Sequence, residues 1–251
     1  MITLGIGCGC DDEKVLTSAN QVASEDIRIL CYAKSPLSES AFVGSVVSDH
    51  PEIALIDDLI AGKIQGAVRG TLPANETLRY LKKAYGVSRL ERIALLETVR
   101  GERFFLAPVG VDEGWTVEEK VDLVVRGRKL AKTFGLPEKT AILSGGRIGD
   151  IGRHPIIDRS IGDAIQVAEE TGAVHGEILI ESAVKDCGLI IAPDGISGNL
   201  IFRTLTFLGA GIGHGAPITN IEGIFIDSSR ASLGYVPALN LTAALVRKNI
   251  R

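Results

Sequence analysis

The stretch Cys187 to Leu205, CGLIIAPDGISGNLIFRTL, decides the fold class. Leu189 to Asp194 is an apolar run of strand length. Pro193-Asp194-Gly195 then breaks it, and Gly198-Asn199 opens a helix. Strand, polar turn, helix is the grammar of an open α/β sheet. Such sheets place their ligands at the carboxyl ends of strands, which makes Asp194, Gly198 and Asn199 candidate ligand-binding residues.

The same unit recurs on both sides. Downstream, Ile224 to Ser229 is an apolar strand ending in Asp227-Ser228-Ser229-Arg230, before a helix from about Tyr235 to Val246. Upstream, Lys139 to Gly145 runs into Ser144-Gly145-Gly146-Arg147-Ile148-Gly149-Asp150-Ile151-Gly152-Arg153 and a helix from about Ile156 to Glu170. Exposed amides and guanidinium groups on such a loop suit an anion, and Ser144 and Arg147 are its candidates. A strand is expected near Glu177 to Ile180. Thr116 with Glu119 reads as a capping box starting a helix that ends at Gly135 and Pro137.

The N-terminal half repeats the pattern. Ile2 to Ile6, Ile27 to Ala33 and Gln65 to Arg69 are expected strands, with helices up to about Ala23, around Ser40 to Val47 and over Glu52 to Ala61. Asn75 is the expected N-cap of a helix stopped by Gly86. Arg69, Thr71 and Arg79, at and after the third strand, form another anion candidate. Arg92 to Thr98 and Phe104 to Val109 read as a hairpin, so the sheet is expected to be mixed. The expected organisation is an N-terminal lobe over 1–112 and a C-terminal lobe over 113–251. A ligand cleft is expected between them, the boundary is soft, and the lobes are free to exchange segments.

Composition narrows the function. The chain has 251 residues, a net charge of −4 and 5% aromatic residues, which leaves neither a basic groove nor base-stacking rings for nucleic acid. No apolar stretch reaches bilayer length and the start lacks a basic leader flank, so a cytoplasmic protein without membrane insertion is expected. Gly5, Gly7 and Gly9 follow the first strand, but Cys10 stands where a dinucleotide fingerprint needs glycine, and Tyr32-Ala33-Lys34 lacks the ribose-binding acid. Cys8 and Cys10 read as reduced, buried thiols rather than metal ligands. The four histidines, His50, His154, His175 and His214, show no zinc or corrinoid spacing, so no metal centre is expected. Four polar strand ends, three of them carrying arginine, favour a small anionic ligand.

At these residues the sequence resembles the phosphate acetyl/butyryl transferase superfamily. The resemblance is carried by GEILIESAV (176–184), CGLIIAPDGISGNLIFRTL (187–205), DSSRASL (227–233) and GAVRGTLPANETLR (66–79). It implies the two-lobed α/β fold of isocitrate and isopropylmalate dehydrogenases, usually dimeric, so a homodimer is expected. By the same resemblance Ser229 and Arg230 would be the catalytic pair. Arg230 and Arg79 would hold phosphate, Ser229 would orient a thiol or developing oxyanion, and coenzyme A would be the acceptor. The chain is shorter than those acyltransferases between Glu181 and Leu189, and Val236 stands where they carry an acid. With GGRIGDIGRH and AVRG it looks more like the methanogen family called methyltransferase MtxX, or methanogenesis marker protein 4. That resemblance implies an archaeal methyltransferase or methyltransferase-associated protein. The alternatives are a phosphate acyltransferase and a non-catalytic ligand-binding subunit.

Overall fold

Strands rich in β-branched residues alternate with helices along almost the whole chain, and the computed structural model, which describes residues 1–249, assembles them into two six-stranded sheets. In chain order the elements are β1 (Ile2–Gly7), α1 (Asp12–Val22), β2 (Ile27–Ala33), β3 (Val43–Val47), α2 (Pro51–Ile60), β4 (Gly66–Val68), α3 (Ala74–Tyr85), β5 (Ala94–Glu97) and β6 (Arg103–Ala107). They continue with α4 (Val117–Thr133), β7 (Thr140–Leu143), α5 (Pro155–Thr171), β8 (Val174–Glu177), α6 (Ile180–Ala183) and β9 (Leu189–Ile191). The last are α7 (Gly195–Arg203), β10 (Ile212–Gly213), β11 (Ala216–Pro217), β12 (Phe225–Asp227) and α8 (Val236–Asn249). No helix among the described residues is long and apolar enough to cross a membrane.

The chain divides into two compact units, Met1–Leu90 with Gly215–Arg251, and Glu91–His214. Where the sequence suggested one soft boundary near 112, the chain passes into the second unit at 90/91 and returns at 214/215. The physical reason is strand pairing. The β5–β6 hairpin adds to β9 of the second sheet, whereas β12, at the far end of the sequence, pairs with β4 of the first.

In the first unit the sheet order is β11-β12-β4-β1-β2-β3, parallel from β12 to β3. Side-chain alternation sends the two faces to different helices. Leu4 and its partner Gly66 face α8, where a Cβ on Gly66 would meet Thr242 and Val246; Gly5 faces α2, where a Cβ would press on Leu55 and Ile64. The core on that second face gathers Tyr32, Leu55, Ile56, Ala67, Leu81 and Phe225.

The second sheet runs β10-β5-β6-β9-β7-β8, with β6, β9, β7 and β8 parallel and the β5 edge antiparallel. Its central strand β9 is buried along its whole length, as expected of a strand covered on both faces. Above it α4 lies so close that a Cβ on Gly127 would touch Leu189. Thr116 caps α4 by accepting from Glu119 N–H at 3.2 Å, and the Glu119 carboxylate accepts from Trp115 N–H at 2.8 Å.

Four local expectations change. Ser40 to Val47 is not helical: Val43, Val46 and Val47 build β3, which continues the sheet beside β2. Asn75 is not an N-cap, because α3 begins one residue earlier, after Pro73. The strand near Glu177 to Ile180 ends at Glu177, whose left-handed backbone (φ 52°) turns the chain into α6. Helix α7 starts at Gly195 rather than near Asn199, since Asp194 caps it by accepting from Ser197 N–H at 2.8 Å.

Two helical glycines give a test. A Cβ at buried Gly198 would lie 1.9 Å from the carbonyl oxygen of Pro108, whereas Gly162 on α5 faces open space. Gly198→Ala should destabilise the protein by about 1–3 kcal/mol through overpacking, and Gly162→Ala should stabilise it by up to about 1 kcal/mol through helix propensity. Urea denaturation of both variants checks the opposite signs.

Candidate functional site

Strands β12, β4 and β1 are neighbours and parallel, so their carboxyl ends deliver Ser228–Arg230, Arg69–Thr71 and Cys8–Asp11 to one edge of the first sheet. The buried Arg69 guanidinium ties these ends together. Its Nε donates to Asp227 Oδ1 at 2.5 Å, its Nη1 to the Leu72 carbonyl at 2.8 Å, and its Nη2 to the Ser228 carbonyl. Three of its five N–H donors are thus committed to the protein. Ser228 Oγ accepts from Gly70 N–H at 3.1 Å, completing a bond between β12 and β4.

Thr71 does for β1 what Arg69 does for β12. Its buried Oγ1 accepts from the backbone N–H of Gly9 at 2.9 Å and of Cys10 at 3.2 Å, which shapes the β1–α1 loop. The backbone must pass very close here: a Cβ on Gly70, whose φ is 61°, would lie 2.1 Å from the Gly7 carbonyl oxygen. Cys8 is buried and donates to Asp12 Oδ1 at 3.0 Å; burial first and that carboxylate second push its thiol far up. Burial alone raises Cys31 to about 12. Both thiols are therefore protonated and poor nucleophiles at neutral pH.

Arg230 differs from Arg69 in every respect. It is exposed, and its side chain has no hydrogen bond or ion pair among the described residues. The carboxylate nearest to it in sequence, Asp227, is engaged with Arg69. Its backbone carbonyl accepts from Lys14 Nζ at 3.1 Å, and Lys14 also pairs with Asp11 and lies 5.6 Å from the Tyr235 ring centre. Ser229 is half-buried and accepts from Ala231 N–H. Arg79 is exposed on α3. Lys14 and Tyr235 escaped the sequence reading as site residues because their partners lie up to 217 residues away.

The second unit gathers its own candidates at the carboxyl ends of the adjacent strands β7 and β9. Asp194 caps α7, Asn199 Nδ2 donates to the Val109 carbonyl at 2.9 Å, and Gly198 packs on Pro108, so this segment anchors α7 to the loop after β6. The loop after β7 satisfies its own amides. Gly145 N–H goes to Ser160 Oγ, Arg147 N–H to Asp150, Ile148 N–H to Glu177 and Gly152 N–H to Asp158. Arg147 is exposed, and Arg153 pairs with Asp150 at 2.5 Å. Ser144, only 1% exposed, bonds to Gly146 and His175.

The contrast between the two arginines yields a stability test. Arg69→Met breaks a buried ion pair and two carbonyl bonds, and should cost about 3–5 kcal/mol. Arg230→Met, on the surface, should stay within about 0.5 kcal/mol of wild type. Equal losses in urea titrations would contradict the division of labour.

No family model matches the chain. Among curated proteins it is 46% identical over 209 residues to a Methanosarcina barkeri protein named methyltransferase mtx subunit X, covering 81% of this chain and 77% of that one. It is 33% identical over 242 residues to a Methanocaldococcus jannaschii protein named as an uncharacterized methyltransferase, covering 92% and 91%. Among solved structures, a branched-chain phosphotransacylase from Enterococcus faecalis superposes with TM-score 0.79 at 17% identity, covering 98% of this chain and 99% of that one. An isocitrate dehydrogenase from Methylococcus capsulatus gives 0.53 at 10%, covering 100% and 86%. The fold is thus the one shared by phosphotransacylases and isocitrate dehydrogenase, and at the level of sequence the chain belongs to the methyltransferase mtx subunit X family.

Proposed function

We propose that the protein is a cytoplasmic, anion-binding subunit of a methyl-transfer system in methanogens, and that Arg230 receives the anionic group of a small ligand. One observation carries the reading. Three adjacent parallel strands are locked at their carboxyl ends by Arg69 and Thr71, and the exposed Arg230 guanidinium next to that lock has no protein acceptor among the described residues. A guanidinium offers a planar fork of donors suited to phosphate, sulfonate or carboxylate. Ser229, beside it, and Arg79 on α3 are the further contacts in this reading. Arg69 and Thr71 act by positioning, and a homodimer is the expected assembly.

A second reading, phosphate acyl transfer between phosphate and coenzyme A, draws on the fold likeness to the branched-chain phosphotransacylase. Val236 weighs against it. The position where the acyltransferases carry an acid is here an apolar residue that opens α8, so no carboxylate stands there to take a thiol proton.

Thermal-shift titration with coenzyme M, phosphate, acetyl phosphate, coenzyme A and S-adenosylmethionine tests both readings, because a ligand that binds the folded state raises the melting temperature by mass action. At least one anion should stabilise wild type. Arg230→Lys should weaken that anion by about 1.5–3 kcal/mol, the scale of a hydrogen bond to a charged group. Wild-type affinity in Arg230→Lys refutes the assignment, and acetyl-coenzyme A formation from acetyl phosphate and coenzyme A establishes the acyltransferase instead.

A further inference from the structure

Past the end of β12 the chain turns at Arg230 and Ala231, both exposed. Three successive carbonyl oxygens leading into that turn are nevertheless held by side chains from three separate parts of the first unit. The Ser228 carbonyl accepts from Arg69 Nη2, the Ser229 carbonyl from the Tyr235 hydroxyl at 3.5 Å, and the Arg230 carbonyl from Lys14 Nζ at 3.1 Å. The last of these stands apart. Among the described residues, no group other than Lys14 makes a hydrogen bond or ion pair with any atom of Arg230.

Lys14 is itself braced. It lies in the first turn of α1, its side chain is only 18% exposed, and its Nζ also pairs with Asp11 Oδ2 at 3.1 Å. One turn along α1, Ser18 Oγ donates to the Lys14 carbonyl at 2.8 Å and accepts from Tyr235 N–H at 2.9 Å, so the two anchors of the turn belong to one hydrogen-bonded frame. The Asp11 carboxylate offsets the ammonium charge, which leaves Lys14 little long-range pull on an anion. What Lys14 supplies is backbone position. A guanidinium carried on a loose turn has to be ordered as its ligand binds, and that ordering costs affinity.

We propose, building on the reading of Arg230 as the anion's partner, that Lys14 is a positioning residue: its bond to the Arg230 carbonyl fixes the point from which the guanidinium projects, before any anion arrives. Lys14 itself touches no ligand in this arrangement. Arg69 secures the entry to the turn at Ser228, and Lys14 secures its crest at Arg230. Removing the Lys14 ammonium therefore leaves the end of β12 in place and loosens the turn beyond it.

Backbone ¹⁵N relaxation and calorimetric titration with inorganic phosphate, on the whole protein, test this with Lys14→Met, or with Lys14→Gln should the methionine variant not fold. In the variant the order parameter of the Arg230 amide should fall from about 0.85 to below about 0.6, with Ser228 unchanged. Phosphate should bind about tenfold more weakly, the loss of one bond from a charged donor, and by the same factor at low and high sodium chloride. Lys14→Arg, which keeps a charged donor, should restore both values. An unchanged Arg230 order parameter, a phosphate loss that disappears at high salt, or no rescue by arginine would each overturn the positioning role. Wild type that binds no phosphate, or Arg230→Met that binds it as tightly, would instead overturn the reading of Arg230 itself, and the order parameter, measured without ligand, tells the two failures apart.

Discussion

Arg69 holds together parts of the chain separated by 158 residues, and its bonds fix how β12 meets the rest of the first sheet. Strand β12 returns from beyond the second unit and has only three residues with which to pair against β4. Two ladder positions are a short register. The guanidinium extends it by gripping Asp227 and the Ser228 carbonyl just past the strand and the Leu72 carbonyl on its own loop, inside a space from which water is excluded. In that setting each charge-assisted bond counts for more than it would on the surface, and leaving any partner unpaired is expensive. The grip also decides where Ser229 and Arg230 emerge, so a structural arginine sets the position of the one proposed to hold the anion.

Close backbone approach is the second half of that constraint. A Cβ on Gly70 would lie 2.1 Å from the Gly7 carbonyl oxygen, a distance no side chain would tolerate, and Gly9 fits tightly against Thr71 and Leu72, where a Cβ would come within 3.1 Å and 3.2 Å. The three loops can therefore lie side by side only because glycine occupies the crossing points. The second unit uses the same device where Gly195 and Gly198 let α7 pack on the backbone of residues 108–113. Part of the chain's glycine content, 29 of 251 residues, is explained by these crossings rather than by flexible loops.

Much of the fold was legible because hydrophobic runs with polar, glycine-bearing ends mark strands of a parallel sheet wherever they occur. Helices with strong stop signals, such as α3 at Gly86 and α4 at Gly135, were readable for the same local reason. Segments whose structure is set by distant partners were not. Val43 to Val47 becomes a strand only because β2 offers it an edge, and the discontinuity of the first unit is invisible to any local pattern. At the site, sequence could nominate Arg69 and Arg230 together by residue type, yet it could not separate the buried one from the exposed one. That distinction lives in Asp227, Ser228 and Leu72, and in the burial that makes their bonds strong. The contact between His175 and Ser144 was not legible either, since the two residues lie 31 positions apart in the sequence.

Because Arg69 is committed and Arg230 is not, the account places the anion at the carboxyl edge of β12, β4 and β1 in the first unit. Tungstate, an oxyanion with a strong anomalous signal, locates such a site directly when soaked into crystals. An anomalous peak within hydrogen-bonding distance of the Arg230 guanidinium, reduced or absent in crystals of Arg230→Met, is the result this account predicts. A dominant peak on the Ser144–Arg153 loop of the second unit, or an unchanged peak in Arg230→Met, would contradict it.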